Sequence, residues 1–372
     1  MRLSFSIIIL ITITACQKDK TDDQTKNTST SFFVGTYTDG DSEGVYKYTL
    51  ENDGTLNKVG LAARSENPSF LTKSANGKYL LAVNEISNKD NVGTIESYLI
   101  TKDSLQLISK SSSGGAHPCF VTSNDQDYIL TANYSGGNIG LLKLSAGGKL
   151  SSLLDVQQHA GKGTSDRQEG PHAHSTWFVP NSNDIISIDL GTNELWFSKL
   201  DTITTKLQAS EPTKLKMADG AGPRHLTLHP KGQWIYVLNE LNATISLIQK
   251  NGNGIYEEKS TFSTLPKDYT ENNSCADIHI SADGHFVYAS NRGHNSIVIY
   301  KVNKLNGSLE LVGHESTRGD SPRNFSLSPN GDYLLVANQL TNNIISFKRD
   351  KTTGLLEFVD EIVAPAPVCI LF

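Results

Sequence analysis

Tyr79-Leu-Leu-Ala-Val-Asn84 is one copy of a pattern that runs the length of the chain. It recurs as Tyr128-Ile-Leu-Thr-Ala-Asn133, Trp234-Ile-Tyr-Val-Leu-Asn239, Phe286-Val-Tyr-Ala-Ser-Asn291 and Tyr333-Leu-Leu-Val-Ala-Asn338. Asp184-Ile-Ile-Ser-Ile-Asp189 carries Asp for the final Asn, and Phe32-Phe-Val-Gly-Thr36 fits loosely. Aromatic, aliphatic and β-branched residues dominate each copy, which is strand composition. The closing positions 36, 84, 133, 189, 239, 291 and 338 are separated by 48, 49, 56, 50, 52 and 47 residues. A turn precedes the run in four copies: Ala75-Asn-Gly77, Pro230-Lys-Gly232, Ala282-Asp-Gly284 and Pro329-Asn-Gly331. Such X-Gly pairs are hairpin signals.

Seven units of about 50 residues, each with three or four short strands, predict an all-β fold, a seven-bladed β-propeller. The first unit lacks its innermost strand, because the residues before Phe32 are polar. Ala366-Pro-Val-Cys-Ile-Leu-Phe372 resembles Ala116-His-Pro-Cys-Phe-Val121 and supplies the missing piece from the other end of the chain. The C-terminal strand is therefore expected to pair into the first blade and close the ring, hiding edges that would otherwise aggregate. Length alone favours two or three domains; the repeat overrides that and makes residues 32–372 one propeller domain.

The N-terminus reads as an address. Arg2 is followed by an apolar run, Ile7 to Ile13, too short for the ~20 residues that cross a bilayer. Ile13-Thr14-Ala15-Cys16 resembles a bacterial lipobox, which implies a signal peptide over 1–15 and lipidation of Cys16. Gln17 in place of Asp favours the outer membrane. Residues 16–31 then form a polar tether. The expected location is the cell envelope, with the membrane touched only through the lipid. Cys119, Cys275 and Cys369 remain, an odd and widely spaced set that reads as buried small hydrophobes rather than disulfides.

The 372 residues carry Lys+Arg 33 against Asp+Glu 39, a net charge of −6. No basic excess exists to hold a phosphate backbone, so nucleic acid is not an expected partner. With 30 Gly, 12 Pro and 2 Met, the composition is turn-rich and helix-poor. A monomer is expected.

In a propeller the innermost strand starts on the face where the second strand ends. Two sets of positions therefore share one mouth. The first holds His117, His174, Arg224, His225, Asp277 and Arg323; the second holds Asn84-Glu85, Asn133-Tyr134, Asp189, Asn239-Glu240, Asn291-Arg292 and Asn338. The strand-end Asn recurs in nearly every copy, which points to turn backbone. Arg224, Arg323, Glu240 and Arg292 break the repeat and point to function. Three guanidiniums suit an anionic or polyoxygenated ligand. Asn133, Asn239, Asp277 and His279 are further candidates for substrate binding. His172-Ala-His174 has period-two spacing, so both imidazoles are expected on one strand face, where they serve catalysis or substrate, with metal chelation the lesser reading. The insertion Gly161 to Gly170 accounts for the 56-residue spacing and reads as a lid. His229, His285 and His314 fall at turns or outer strands and are expected to be solvated.

Gly170-Pro-His-Ala-His-Ser175, Gly220-Ala-Gly-Pro-Arg-His225, Val237-Leu-Asn-Glu240, Cys275-Ala-Asp-Ile-His279, Ser321-Pro-Arg-Asn-Phe325 and Phe33-Val-Gly-Thr-Tyr-Thr38 together resemble the seven-bladed propeller lactonase family. That family includes a bacterial 6-phosphogluconolactonase and the fungal carboxy-muconate cyclase. The resemblance implies hydrolysis of a small-molecule, sugar-derived lactone to the open-chain acid, with no cofactor and no required metal. It implies a catalytic His, two Arg and a Glu, matching His174 (or His172), Arg224, Arg292 and Glu240. Glu240 or a His would then be the base. His172 and Arg323 are left to bind substrate hydroxyls or a phosphate. An envelope location argues for an unphosphorylated aldonolactone. The alternatives are a non-catalytic propeller that binds glycan or protein, and a muconate cycloisomerase-like enzyme with the same Arg clamp.

Overall fold

The computed structural model describes residues 29–372, and in it every blade is a four-stranded antiparallel sheet. The seven second strands are Thr30–Thr36, Tyr79–Asn84, Tyr128–Asn133, Asp184–Asp189, Ile235–Asn239, Phe286–Arg292 and Tyr333–Asn338. They coincide with the recurring pattern. The innermost strands of blades 2 to 7 are Leu71–Lys73, Pro118–Ser123, Ala173–Phe178, Pro223–Leu228, Ser274–Ile280 and Pro322–Leu327. Blade 1 takes its innermost strand, Pro367–Leu371, from the C-terminus. That strand pairs antiparallel with Thr30–Thr36 through Phe33↔Leu371, Val34↔Ile370 and Gly35↔Cys369. The first strand begins two residues earlier than the tether reading allows, with Thr30 and Ser31 exposed. The signal segment and Cys16 lie outside the described residues.

Seven apolar clusters fill the gaps between neighbouring blades, one per gap. Phe32, Tyr48, Tyr333, Leu335 and Ile370 fill the gap where the ring closes. Phe32, Phe325 and Phe347 are fully buried, and each contributes about 2–3 kcal/mol by leaving water. The aromatic that opens a second strand reaches the outer hairpin of the next blade. Tyr79 donates its hydroxyl to Ala146 O at 2.9 Å and Tyr333 to Asn52 O at 2.8 Å. Gly148 and Gly54 sit against those two rings, where a Cβ would clash, and both hold positive φ. The predicted turns form as expected: Gly77, Gly232, Gly284 and Gly331 all have φ near +70°.

Two solvation expectations need correction. His229 is buried, not solvated. It occupies the turn position held elsewhere by Ser74, Ser281 and Ser328, its Nδ1 accepts Lys231 N at 3.2 Å, and Trp234 packs edge-on against it. His314 is half-buried, with its ring 3.0 Å from Thr264 O. Cys119, Cys275 and Cys369 are buried and free.

One irregularity repeats and sets up the site. In six blades the ladder between the innermost and second strands slips by one residue at the mouth end. The extra residue is Val368, Cys119, His174, Arg224 and Arg323 in blades 1, 3, 4, 5 and 7, and falls at Ala276-Asp277 in blade 6. A bulge bends its strand and re-aims a side chain. Here it delivers one residue from each of those six blades to the mouth end of the axis.

Candidate active site

Glu240 is the hub. It follows the strand-end Asn239 and is only 3 % exposed. Arg167 donates Nη1–H to its Oε1 at 2.6 Å. Arg224 Nε and Arg292 Nη2 approach its Oε2 at 3.0 and 3.2 Å. Those two contacts are Coulombic in geometry: Glu240 Oε2 and Arg224 Nε are buried and have no hydrogen-bond partner among the described residues. Burial alone would raise the Glu240 carboxyl, but the guanidiniums of Arg292, Arg224 and Arg167 outweigh it and hold the group at about 2. A carboxylate so stabilised is a poor proton acceptor and a good anchor. Arg292 is lowered to about 10 by burial, against the pull of Glu240. Its guanidinium also donates to Ser274 O and Cys275 O at 3.3 and 2.9 Å.

A second guanidinium centre faces this one. Arg323 donates Nη2–H to the Tyr37 hydroxyl at 2.7 Å and lies over the Tyr37 ring, 5.2 Å from its centroid. Tyr37 in turn donates to Glu85 at 2.9 Å, and Ser69 donates to the same oxygen. No carboxylate lies within salt-bridge distance of Arg323 among the described residues. Four guanidiniums thus converge with two carboxylates. Between the two centres lies a narrow gap of about 10 Å³, room for a single water, lined in part by Ser69, Glu85, Cys119, Arg224, His225 and Arg323.

His174 occupies the axial bulge of blade 4 and is buried. Burial first, then the charges of Arg224, His225 and Arg323, push its imidazole well below the ordinary histidine range. It is neutral near pH 7. Its Nδ1 lies 3.7 Å from Cys119 Sγ, and its Nε2 takes no hydrogen bond from the described residues. Burial raises the Cys119 thiol, so it carries no thiolate.

One residue further along each innermost strand, side chains lace the blades together. Ser175 donates to Arg224 O at 2.8 Å. His225 Nδ1 meets Asp277 Oδ1 at 2.8 Å, His279 Nε2 meets Asp277 Oδ2 at 3.0 Å, and Asn324 donates to that second oxygen at 2.6 Å. Burial opposes the Asp277 charge, but His279 and His225 overcome it and hold the carboxyl far below its usual range. Being ionised, Asp277 fixes the proton on His225 Nδ1. The bare Nε2 then faces Arg224 Nη1 at 3.4 Å. Burial and Arg224 lower His225 to about 4, which keeps that acceptor neutral.

These positions sort the sequence candidates. His174, Arg224, Glu240, Arg292 and Arg323 come together at the mouth. Asn133 and Asn239 do not present a free NH2 there, and their Oδ1 atoms are buried without a hydrogen-bond partner among the described residues. Asn133 Nδ2 bonds Ser113 O and Asn138, and Asn239 Nδ2 bonds Thr244 and Ser246, because each strand end must satisfy its own turn. Asp277 and His279 are paired with each other below the mouth rather than turned to a ligand. His172 and His174 do not chelate together: the bulge separates them. His172 stacks on Tyr134 and uses both ring nitrogens, on Tyr134 O at 3.2 Å and Glu169 at 3.1 Å. Sequence reasoning missed Tyr37 and Arg167 as site residues, and placed His225 at the mouth without giving it a role. Tyr37 follows a strand-end residue just as Glu240 and Arg292 do, so the repeat rule applied to blade 1 finds it. Arg167 sits on the insertion, where no repeat marks it.

The chain matches the family described as "Lactonase, 7-bladed beta-propeller" over residues 31–372. It is 37% identical to a 6-phosphogluconolactonase of Bacillus subtilis, over 78% of this chain and 83% of that one. It is 34% identical to a 6-phosphogluconolactonase of Formosa agariphila, over 78% and 84%. The solved periplasmic gluconolactonase of Pseudomonas aeruginosa superposes with a TM-score of 0.86 at 30% identity, covering 92% of this chain and 98% of that one. The chain therefore belongs to the seven-bladed β-propeller lactonase family. Within it, this is a lactonase, a carboxylic-ester hydrolase.

Proposed function

We propose that the mouth hydrolyses a sugar-derived lactone with His174 as the proton carrier and Arg224 and Arg292 as the oxyanion clamp. The observation that carries this is a neutral axial imidazole beside two guanidiniums whose shared carboxylate has been taken out of acid–base service. Water attacks the ring carbonyl carbon and gives its proton to His174 Nε2. The tetrahedral oxyanion forms against Arg224 and Arg292, fixed donors that need no reorganisation. The ring C–O bond then breaks, the imidazolium returns its proton to the departing alkoxide, and a hydroxy acid leaves. An imidazole with a depressed pKa is a strong acid once protonated, which suits the last step. Arg323 with Tyr37 holds the far side of the ring.

A pH-indicator assay tests this against a panel holding an aldonolactone, its phosphorylated form and a muconolactone, with and without EDTA. Turnover that survives EDTA and falls at least about tenfold in a folded Arg292→Ala variant is expected. A folded, fully active Arg292→Ala variant removes Arg292 from the clamp, and no turnover on any lactone returns the mouth to ligand binding. The lipobox-like Cys16 supports tethering in the cell envelope, and the expected state is a monomer. Metabolic labelling with a fatty acid, lost in Cys16→Ser, and light scattering of the purified protein test those two points.

A further inference from the structure

We propose that Arg167, carried on the insertion over the mouth, reads an anionic exocyclic group of the substrate, a phosphate or a carboxylate, and sets a preference for charged over neutral lactones. This rests on the hydrolase reading of the same mouth.

The insertion is built to be rigid. Its short 3-10 turn, Asp166–Gln168, is capped by Ser165, whose Oγ accepts Arg167 N. Gln168 is fully buried. Its Oε1 accepts Thr164 N and Ser165 N, and its Nε2 donates to Leu190 O and Asn193. Both ends of the strap close on one side chain. Asp189 Oδ2 meets His159 Nδ1 at 2.7 Å, with both side chains fully buried, while Asp189 Oδ1 accepts His172 N at 2.8 Å. That explains why blade 4 alone has Asp where the repeat has Asn: a carboxylate clasps both ends of the strap, and His159 stacks on Trp196 beneath it.

What this rigid strap holds out is one guanidinium. Arg167 uses one N–H on Glu240 Oε1 and one on the Tyr134 hydroxyl at 3.1 Å. A guanidinium has five N–H donors, and the rest of the fork has no hydrogen-bond partner among the described residues. The side chain is 47% exposed, against 3% for the Glu240 it rests on. It therefore stands one carboxylate's width from the Arg224–Arg292 clamp, on the solvent side. In the proposed pose the lactone carbonyl lies at the clamp, Arg323 holds the far side of the ring, and the exocyclic substituent is turned to the solvent side, where Arg167 stands. The product carboxylate is already served by the clamp, so a third guanidinium at this distance has a second anion to bind. Pre-organisation by the strap is what makes a half-exposed charge worth using.

The test compares the full chain with Arg167→Met and Arg167→Lys on gluconolactone, 6-phosphogluconolactone and glucaro-1,4-lactone. Wild type is expected to prefer one of the charged lactones, which also says whether phosphate or carboxylate is the group read. In Arg167→Met the ratio of kcat/KM on that lactone to kcat/KM on gluconolactone is expected to fall about tenfold, mostly through KM, with partial recovery in Arg167→Lys. A wild-type preference for gluconolactone overturns the inference and leaves the hydrolase standing. So does an equal loss on all three substrates, or no loss on any. If wild type hydrolyses none of them, the hydrolase reading fails separately. Calorimetric titration with gluconate, 6-phosphogluconate and glucarate then decides: a loss of affinity in Arg167→Met no greater for the two acids that carry a second anionic group than for gluconate overturns it.

Discussion

Replacing Glu240 by Gln keeps the side chain's size and removes its charge, which separates an anchor from a base. The folded carboxyl lies at about 2 against an ordinary 4.5. At 1.36 kcal/mol per pKa unit, a difference of that size stabilises the ionised group by about 3 kcal/mol. The group is almost fully buried, so solvent screening takes little from this. Because the folded value lies below the unfolded one, the contribution is complete above about 4.5 and disappears as pH falls through about 2. In Glu240→Gln it is absent at every pH, and Arg224 and Arg292 are left facing each other without a counter-charge. With an unfolding entropy near 2.1 cal/mol/K per residue, a propeller of about 340 residues should lose about 4 °C in Tm for about 3 kcal/mol. The clamp loosens with it, so kcat/KM should fall about a hundredfold. The residual activity should keep the wild-type pH profile, since the proton carrier is elsewhere. The assays are calorimetric melting at pH 7 and pH–rate profiles of both proteins. A variant that melts with wild type but has lost all turnover would refute the anchor argument and make Glu240 the base.

Three further outcomes follow from the same geometry. His174 is neutral at and well below pH 6.5, so kcat/KM should be flat from pH 6 to 8 and be lost only as pH falls far enough to protonate it; an acid limb centred near 6.5–7 contradicts this. Asp277→Asn replaces the ionised acceptor that fixes the proton on His225 Nδ1 with a neutral amide that can donate as well as accept, so nitrogen NMR should show the tautomer redistributed and kcat/KM should fall about tenfold as Arg224 loses its Nε2 partner; full activity with an unchanged tautomer sinks the relay. Deleting residues 367–372 removes the innermost strand of blade 1 and uncovers Phe32 and Val34, so the cooperative melt should vanish, and a truncated chain that melts like wild type would mean the ring does not depend on that closure.

The architecture was legible because each blade must solve the same burial problem. Tyr79 and Tyr333 recur because an aromatic at that point packs on a glycine of the next blade, and Asn84, Asn133 and Asn338 recur because every second strand ends in the same turn. Repetition also exposed the site by contrast: Arg224, Glu240 and Arg292 stand where that shared solution does not ask for a charge. What the pattern cannot encode is direction. Asn133 and Asn239 share the mouth face in sequence yet turn their amides into their own blades. His172 and His174 have the spacing of one strand face, but a bulge between them sends only His174 to the axis. Asp277 looks like a ligand-binding carboxylate until its three side-chain partners, which come from two other places in the chain and from two residues along its own strand, are seen to occupy it.

The bulge is the device that joins stability to chemistry here. A regular ladder alternates side chains between the two faces of a blade and gives the axis only what the pleat leaves over. One extra residue in six of the seven innermost strands adds a side chain that belongs to neither face, and in the five blades where it is a single residue it packs in no inter-blade cluster. The clusters that hold the ring together are therefore insulated from whatever stands at the bulge: Val368, Cys119, His174, Arg224 and Arg323 occupy the same place in five blades and differ in charge, size and polarity. The layer below is different, since Ser175, His225, Asp277 and Asn324 tie blade to blade. Substitutions at His174 or Arg323 should accordingly change turnover more than Tm, whereas substitutions at Asp277 or Asn324 should change both, and it is the ratio of the two effects, residue by residue, that maps where the scaffold stops and the chemistry starts.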